Sequence, residues 1–431
     1  MKKILLYITV LAVVFSACEE DTFDYQPYTP SVSEIDSLYF STGAKTLVAD
    51  GKAALKFVVE AYRTAQFTNA DGQQFDSIVQ VNLRHLPEGA IKITDEADNT
   101  LGQEFSTTDL GTGTKEFKAS IGDVVSEIKS VTLRQAPPAY EKLYVDVIFH
   151  VFELKSSDPS YDPLTHREIE QSHLERAVED LNMVFNNQLG NGPNAGSTNI
   201  EFRLAAKDNF NRVMSRPGYK RRDYDQSIAA RSSISTTDFI AVMDANNGRN
   251  IWTPTKFLNI VVIPGGSANS VRTSTPRNQF VTSGDPSLPG MGTPVAPGSS
   301  ITKNYRNTCA AVPRALMFPG EDARLIVSGY VGKFYGLFGT RFTNGIPPFV
   351  PPYRNDYCTD TQNFFLDAGE GNQSNLLLKT DVNGDKFFSE NLMDDLGLNF
   401  PSFRNHVTID QAERVRYAIE NCPGRNNGLT E

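Results

Sequence analysis

The residues from Leu143 to Phe152 form a nearly unbroken apolar run, interrupted mainly by Asp146 and His150. A strand with one solvent-exposed face and one buried face would instead show polar residues at every second position. A run without alternation is typical of a strand covered on both faces, as in sheets that carry helices. This segment therefore predicts a layered domain built on a sheet, with His150 as a hydrogen-bonded core residue rather than a metal ligand.

The residues after this run predict a helix and two more strands. Thr165 and Glu168 match a capping box. Strands are predicted at 200–205 and 257–263, where β-branched and aromatic residues cluster. The order strand, helix, strand, strand predicts a mixed α/β sheet domain. The helix itself is predicted from an apolar stripe at helical spacing, made of Leu174, Ala177, Val178, Leu181, Val184 and Phe185.

The first part of the chain, residues 36–135, has a different pattern. Short alternating segments such as 55–61 are separated by turn pairs such as Asp50-Gly51 and Asp71-Gly72. The run from Thr107 to Leu133 resembles the Ig-like modules of bacterial surface proteins. We therefore expect a multidomain protein whose residues 36–135 form an all-β Ig-like sandwich, with a proline-containing boundary at 135–139.

The N-terminus has the composition of a targeting segment. Two lysines precede an apolar run at 4–15 that is short for a membrane span. Residues 16–18, which end in Cys18, resemble a bacterial lipobox. The resemblance implies a lipoprotein signal peptide at 1–17, lipidation of Cys18 and a polar tether at 18–35. An ordinary secretory peptide with a chance cysteine is the alternative.

The charge of the chain narrows the range of partners. It has 41 basic and 51 acidic residues and a net charge of −10. This balance argues against a nucleic acid or an anionic membrane surface as the main partner. The acidic residues at 19–21 resemble the tags that send lipoproteins of Bacteroidota to the cell surface. They imply a surface-exposed outer-membrane lipoprotein that contacts the membrane through its lipid anchor.

The remaining cysteines are Cys309, Cys358 and Cys422. An odd count in an oxidising compartment permits one disulfide and leaves one thiol. The sequence leaves the connectivity open. A Cys309–Cys358 bond is favoured because it would join the two ends of the motif region described next.

The segment 329–340 matches the spacing of a zinc-protease helix motif at its glycine but lacks the residues that bind zinc and activate water. The metzincin signature is H-E-x-x-H-x-x-G-x-x-H, and its glycine falls on Gly336. The resemblance implies a zincin fold. It also implies that no zinc, other metal or cofactor is bound, because the three histidines and the glutamate have been replaced, by Gly329, Lys333, Gly339 and Tyr330 respectively.

The order of the other segments resembles pappalysin-type metzincins over residues 141–425. Residues 356–361 are similar to the Asp-Thr-Pro loop of that family, and 391–394 to its Met-turn. The segment 408–416 is similar to the closing helix and has its own capping signal, Thr408 with Gln411.

This resemblance implies a set of residues that line the former cleft. Lys333 would project to the place of the zinc and pair with an acidic side chain or a ligand carboxylate. The alternative is that Lys333 extends outward to solvent. The expected cleft residues are Lys333, Tyr330, Asp360, Met393 and Asp394, with Asp360 and Asp394 as the candidate acidic partners.

Two further segments allow opposing interpretations. Residues 381–385 match the first positions of a calcium loop, but Lys386 replaces the glycine that such a loop needs next. Asn383-Gly384 between apolar residues favours a hairpin turn instead. The Pro- and Gly-rich segment 264–300 is interpreted as either a flap or a disordered loop.

Three functions follow from these observations. The first is a surface lipoprotein with a catalytically inactive metzincin-like domain that binds an extended peptide or protein ligand in the former cleft. The second is an active zinc metallopeptidase with an atypical site. The third is an adhesin that binds through its Ig-like domain.

Overall fold

The computed structural model describes residues 28–159, 161–163, 166–222, 251–263, 308–318, 325–342, 356–365, 367–368, 371–373, 376–394, 403–422 and 424–425. Thr165, the predicted signal peptide, Cys18 and the segment 264–300 lie outside these ranges. Within them, no helix combines the length and the apolar character needed to cross a membrane.

The N-terminal domain contains eleven strands and two one-turn 3-10 helices, Val32–Glu34 and Leu83–His85. One sheet has the order β1-β4-β5 and a second has the order β2-β11-β9-β6-β7, with β10 beside β9 and a separate β3–β8 pair. The strands are β1 (Ser37–Ser41), β2 (Thr46–Val48), β3 (Leu55–Lys56), β4 (Val58–Thr68), β5 (Gln74–Val81), β6 (Ile91–Asp95), β7 (Thr100–Leu101), β8 (Glu104–Phe105), β9 (Thr114–Ile121), β10 (Val124–Val125) and β11 (Lys129–Arg134).

The core of this domain is apolar and rich in phenylalanine. The rings of Phe40 and Phe57 lie 5.7 Å apart, and those of Phe57 and Phe117 lie 5.2 Å apart. Ile35 is also buried, so the domain begins within the predicted tether. The expectation of an all-β domain at the N-terminus agrees with these sheets, whereas its Ig-like identity stays a prediction.

The second domain is built on a parallel sheet with the order β14-β12-β16-β17, and β15 also pairs with β12. All seven residues of β16 are buried, as are the last six of β12. The unbroken apolar runs thus form strands covered on both faces, as predicted. The strands are β12 (Leu143–Phe152), β13 (Ala195–Gly196), β14 (Ile200–Leu204), β15 (Tyr219–Arg222), β16 (Phe257–Ile263) and β17 (Cys309–Pro313).

The predicted core histidine lies in the middle of this sheet. His150 is fully buried, and its Nε2 lies 2.7 Å from Oδ1 of Asn259 on the neighbouring strand. Burial lowers the pKa of His150 to about 3, and the nearby Arg222 acts in the same direction. A neutral imidazole that is hydrogen-bonded within the core has the structural role that the sequence predicted.

Helix α1 spans Gln171–Phe185 and buries all six residues of the predicted stripe. Its start differs from the prediction, because the N-cap is Glu170, whose N–H donates to Nδ1 of His173 at 2.9 Å. The capping box predicted at Thr165 and Glu168 is wrong, since the helix begins after both residues.

The rest of the domain consists of short elements and two helices. Helix α3 begins as predicted, because the N–H of Gln411 donates to Oγ1 of Thr408 at 3.3 Å and the Gln411 side chain accepts from the Thr408 N–H at 3.0 Å. The elements are a 3-10 turn (Arg314–Met317), α2 (Ile326–Phe334), β18 (Arg341–Phe342), β19 (Phe364–Phe365), β20 (Asp367–Ala368), β21 (Gly371–Asn372), β22 (Leu378–Thr380), β23 (Lys386–Phe388), β24 (Val407–Thr408) and α3 (Ile409–Asn421).

The segment 381–385 is a hairpin turn between β22 and β23. Gly384 has a φ of +89°, a conformation that glycine adopts at little cost. Oδ1 of Asp381 accepts from the N–H groups of Asn383 and Asp385, and Nζ of Lys129 lies 3.0 Å from Asp385. The carboxylates therefore bind turn amides and a lysine. These contacts support the hairpin turn rather than the calcium loop.

The three cysteines in the second domain are free and buried, so the favoured Cys309–Cys358 bond is wrong. Burial raises the pKa of each thiol. Cys309 and Cys422 share Arg425 as a charged neighbour, whereas Cys358 lies near Asp356. The two halves of the predicted bond thus belong to different environments.

The two domains are joined by an extensive charged interface. The apolar Ile409 at the start of α3 also packs into the core of the N-terminal domain. The ion pairs across the interface join Lys45 to Asp381 and Asp385, Lys56 to Glu390, Lys129 to Asp385, Arg134 to Asp360 and Asp410, and Lys386 to Glu60.

Candidate functional site

The candidate site is centred on α2 and the turn that ends it. The helix follows Leu325, which has a φ of +71°, an unusual value for a non-glycine residue. It ends at Phe334, and Gly336, two residues later, has a φ of +90°. The Gly336 N–H donates to the Lys333 carbonyl at 3.1 Å, and the Leu337 N–H donates to the Gly332 carbonyl at 2.9 Å. This is a Schellman cap, so Gly336, the glycine of the predicted motif, has a backbone role that needs no metal.

Four residues stand at the positions where the predicted motif would have its three histidines and its glutamate, and they differ in exposure. Gly329 and Tyr330 are buried, Lys333 is partly exposed, and Gly339 lies at the surface. Nζ of Lys333 lies 5.6 Å from the centre of the Tyr330 ring. The ammonium is thus within cation–π range of Tyr330, which stands at the glutamate position of the predicted motif.

These residues do not fit a zinc ion. Zinc sites use nitrogen, sulfur or carboxylate ligands, and glycine at two of the three ligand positions supplies none. Burial raises the pKa of Tyr330 to about 12, so its hydroxyl stays protonated and cannot accept a proton from water at neutral pH. Across the described parts of the chain, no group of three or more His, Cys, Asp or Glu side chains is placed to hold a metal ion.

Met393 packs directly against α2. A Cβ placed on Gly332 would lie 3.3 Å from the Met393 sulfur and 3.2 Å from Cδ1 of Leu337. Met393 is 1% exposed, and its N–H donates to Oδ1 of Asn391 at 2.8 Å. The segment 391–394, predicted to be a Met-turn, therefore lies against the helix at a residue that has no side chain, which permits the close approach.

Asp394 is part of a buried hydrogen-bond network and does not pair with Lys333. Its Oδ1 accepts from Oγ1 of Thr340 at 2.9 Å. Its Oδ2 accepts from the Ser389 hydroxyl at 3.0 Å and the Asn391 N–H at 3.1 Å. Burial raises the pKa of Asp394 to about 7. The network joins the turn after α2 to the Met-turn, so Asp394 has a structural role.

Asp360 also has a partner other than Lys333. Its Oδ2 accepts from Nη1 of Arg134 and from the Asp410 N–H, both at 3.1 Å. Burial, together with the nearby Asp410 carboxylate, raises the pKa of Asp360 to about 6. Asp360 lines a cavity of about 480 Å³ between the domains. The expected pairing of Lys333 with Asp360 or Asp394 is therefore wrong, because both carboxylates are used elsewhere.

Sequence reasoning missed an arginine–aromatic cluster beside the helix end. Arg414 is buried on α3, and its Nη2 donates to the Gly336 carbonyl at 3.1 Å. Its guanidinium lies 5.4 Å from the centre of the Phe338 ring and 5.7 Å from that of Tyr357. Tyr357 is 37% exposed and has a φ of +60°. No sequence pattern singled out Arg414, because it lies outside the helical spacing of Ala412, Val415 and Ile419 on α3.

The remaining accessible surface of the site is cationic and aromatic. Lys333, Phe338 and Arg341 are partly exposed, and Gly339 and Tyr357 are exposed. Such a surface can bind a carboxylate through the cations and an apolar or aromatic group through the rings. At the motif positions, Gly329 and Gly339 have no side chain, and the Tyr330 hydroxyl stays protonated because burial raises its pKa to about 12.

Comparison with known proteins gives distant structural likenesses. No protein-family profile matches the chain, and no curated protein matches it. Mature mirolysin of Tannerella forsythia in complex with a cleaved peptide is similar at 18% identity and a TM-score of 0.42, over 67% of this chain and 97% of that chain. Mirolysin in complex with compound 9 is similar at 17% identity and a TM-score of 0.42, over 67% of this chain and 97% of that chain. A promirolysin mutant from Tannerella forsythia is similar at 17% identity and a TM-score of 0.41, over 68% of this chain and 86% of that chain.

Proposed function

We propose that this protein is a surface-anchored lipoprotein whose second domain keeps a metzincin-like frame without zinc chemistry and binds an extended peptide or protein ligand. The anchor is the lipid on Cys18. The ligand occupies the surface beside α2, where Lys333 takes the place of the lost cation and binds a ligand carboxylate.

One observation carries this proposal. Gly336 caps the helix and Met393 packs against it, as the backbone of a metzincin-like frame requires. The residues that would perform the chemistry are absent at the same site. A frame that is kept while its ligands and base are replaced supports binding rather than hydrolysis.

Zinc analysis and a proteolysis assay test the loss of catalysis. The chain, purified in zinc-containing buffer, should contain far less than one zinc per molecule and should leave casein and gelatin uncut. Near-equimolar zinc together with chelator-sensitive cleavage would instead establish an active metallopeptidase with an atypical site. Restoring a single histidine, as in Lys333→His, should not produce activity, because one ligand does not make a zinc site.

A peptide-binding measurement tests the role of Lys333. A library of extended peptides with acidic and neutral members should bind the wild-type chain, with the acidic members preferred. Lys333→Met should weaken the acidic peptides about tenfold or more and leave the neutral ones unchanged. Lys118→Met, at an exposed lysine paired with Asp98 in the other domain, is the matched control. Equal loss for both peptide classes would contradict the carboxylate role.

The adhesin interpretation makes a different prediction. Ligand binding would then depend on exposed residues of the N-terminal domain and not on Lys333. Because the two domains share charged contacts such as Lys56–Glu390, point variants in the whole chain are a better test than isolated domains. Retained ligand capture by Lys333→Met, with loss in N-terminal surface variants, would favour the adhesin.

A further inference from the structure

Strand β5 has an open edge. It pairs with β4 on one side and is the last strand of the sheet β1-β4-β5 among the described residues. Seven of its eight residues are exposed or partly exposed. Ile78 is 74% exposed and Phe75 is 51% exposed. A row of backbone N–H and C=O groups beside large apolar side chains therefore faces outward.

Of the devices that usually prevent pairing with another strand, this edge has a single charged residue, Asp76. Edge strands are commonly protected by lysine, proline, a bulge or a very short length. Residues 74–81 contain no lysine and no proline. The register with β4 runs without a break from Ala61↔Val81 to Thr68↔Gln74, so there is no bulge. This strand is therefore a template for strand addition.

The hydrogen bond that closes the β4–β5 hairpin shows which residues of β5 direct their backbone N–H and C=O groups to the open edge. The Asn69 N–H donates to the Gln73 carbonyl at 2.9 Å. Hydrogen-bonded pairs recur at every second residue in an antiparallel ladder. The odd-numbered residues of β5 consequently direct their backbone groups to β4, and the even-numbered ones direct theirs outward. Those outward-facing residues are Gln74, Asp76, Ile78 and Gln80.

We propose that the open edge of β5 binds the β5 strand of a second copy of this chain. The pairing is antiparallel about a two-fold axis at Ile78, which places Ile78 against its own copy. Asp76 then lies opposite Gln80 of the second copy, and Phe75 lies opposite Val81. Each copy covers exposed apolar side chains of the other, and the two three-stranded sheets become one six-stranded sheet.

Charge is compatible with this register. Asp76 is the only charged residue of β5. The two copies of Asp76 lie four residues apart along the ladder, about 13 Å at the rise of a β-strand. That separation exceeds the screening length of about 8 Å at physiological ionic strength. The arrangement therefore places no like charges opposite each other, although the whole chain is acidic.

The size of the contact implies a weak dimer. One pair of eight-residue strands buries less surface than the roughly 800 Å² per partner of a standard stable interface. We therefore expect a dimer that dissociates on dilution. Attachment of both copies to one membrane would raise their local concentration and favour the dimer.

Sedimentation velocity of residues 19–431 at 5–500 µM tests the proposal. The wild-type chain should shift from monomer toward dimer as its concentration rises, and Ile78→Lys should remain monomeric. Gln66→Lys, on the neighbouring strand β4, adds the same charge away from the edge and should dimerise as the wild type does. A wild-type chain that stays monomeric throughout, or a dimer unaffected by Ile78→Lys, overturns the proposal.

Cysteine cross-linking tests the register independently. Ile78→Cys lies opposite its own copy and should form a disulfide-linked dimer under mild oxidation with diamide. Gln66→Cys should not, and the three native cysteines of this domain pair are buried. Cross-linking of both variants to the same extent would show random collision and contradict the two-fold pairing. Capture of a different protein by this edge, with no self-association, would also contradict it.

Discussion

Arg134, the last residue of the N-terminal domain's final strand, places Nη1 3.1 Å from Oδ2 of Asp360 in the second domain. Its Nη2 lies 3.3 Å from Oδ1 of Asp410, at the start of α3. The side chain of Asp360 is 1% exposed, and that of Arg134 is 32% exposed. One arginine thus contacts two carboxylates across the domain boundary and offsets part of their charge.

We expect Arg134→Met to destabilise the protein by about 1–3 kcal/mol at pH 8, because it leaves the buried Asp360 carboxylate without a cation. The loss should be smaller at pH 5, where Asp360 is protonated because its pKa is about 6. Urea unfolding at the two pH values measures the difference. Lys118→Met, which removes an exposed ion pair, should cost less than about 1 kcal/mol. Equal effects of the two variants would contradict the role of Arg134.

The buried Asp394 predicts that stability falls as pH rises from 5 to 7. Its folded-state pKa is about 7, above the ordinary value near 4. Between those values the folded state binds a proton that the unfolded state has released, so folding is favoured at the acidic end. The change is about 2 kcal/mol over this interval. Asp360 contributes in the same direction.

Asp394→Asn is the control for this pH dependence. Asparagine has the same shape and does not titrate, so the slope of unfolding free energy against pH should decrease between pH 5 and 7. An unaltered slope in Asp394→Asn would show that Asp394 is ionised throughout.

Gly332 should tolerate alanine and reject larger residues. An added Cβ would meet the Met393 sulfur at 3.3 Å and Leu337 Cδ1 at 3.2 Å, both ends of side chains that can shift slightly. Alanine also favours the helix by up to about 1 kcal/mol over glycine. We expect Gly332→Ala to lie within about 1 kcal/mol of the wild type and Gly332→Leu to destabilise by about 1–3 kcal/mol. Thermal unfolding measures both, and a neutral Gly332→Leu would contradict the close packing.

Lipidation of Cys18 predicts loss of fatty-acid labelling in Cys18→Ser. Cells grown with an alkyne-tagged fatty acid should label the wild-type chain, because Cys18 is the proposed lipid acceptor. Cys309→Ser should label normally, since Cys309 is buried and its thiol has a pKa raised to about 12. Persistent label in Cys18→Ser would support the ordinary secretory peptide instead.

The sequence alone predicted the features that depend on near neighbours. The apolar runs at 143–152 and 257–263 form strands buried on both faces, the Thr408–Gln411 box starts α3, and Asn383-Gly384 lies in a hairpin turn. These patterns succeed because burial on one or both faces and the capping of a helix end depend on residues a few positions apart.

The tertiary structure alone decided how distant side chains are paired. Asp360 and Asp394 were expected to face Lys333, but one binds Arg134, 226 positions earlier in the chain, and the other binds Thr340, Ser389 and Asn391. The order of motifs gives the approximate position of a residue on the fold. The partner of a buried charge depends on which donors the packing of both domains brings within about 3 Å, because a carboxylate removed from water must be hydrogen-bonded or paired.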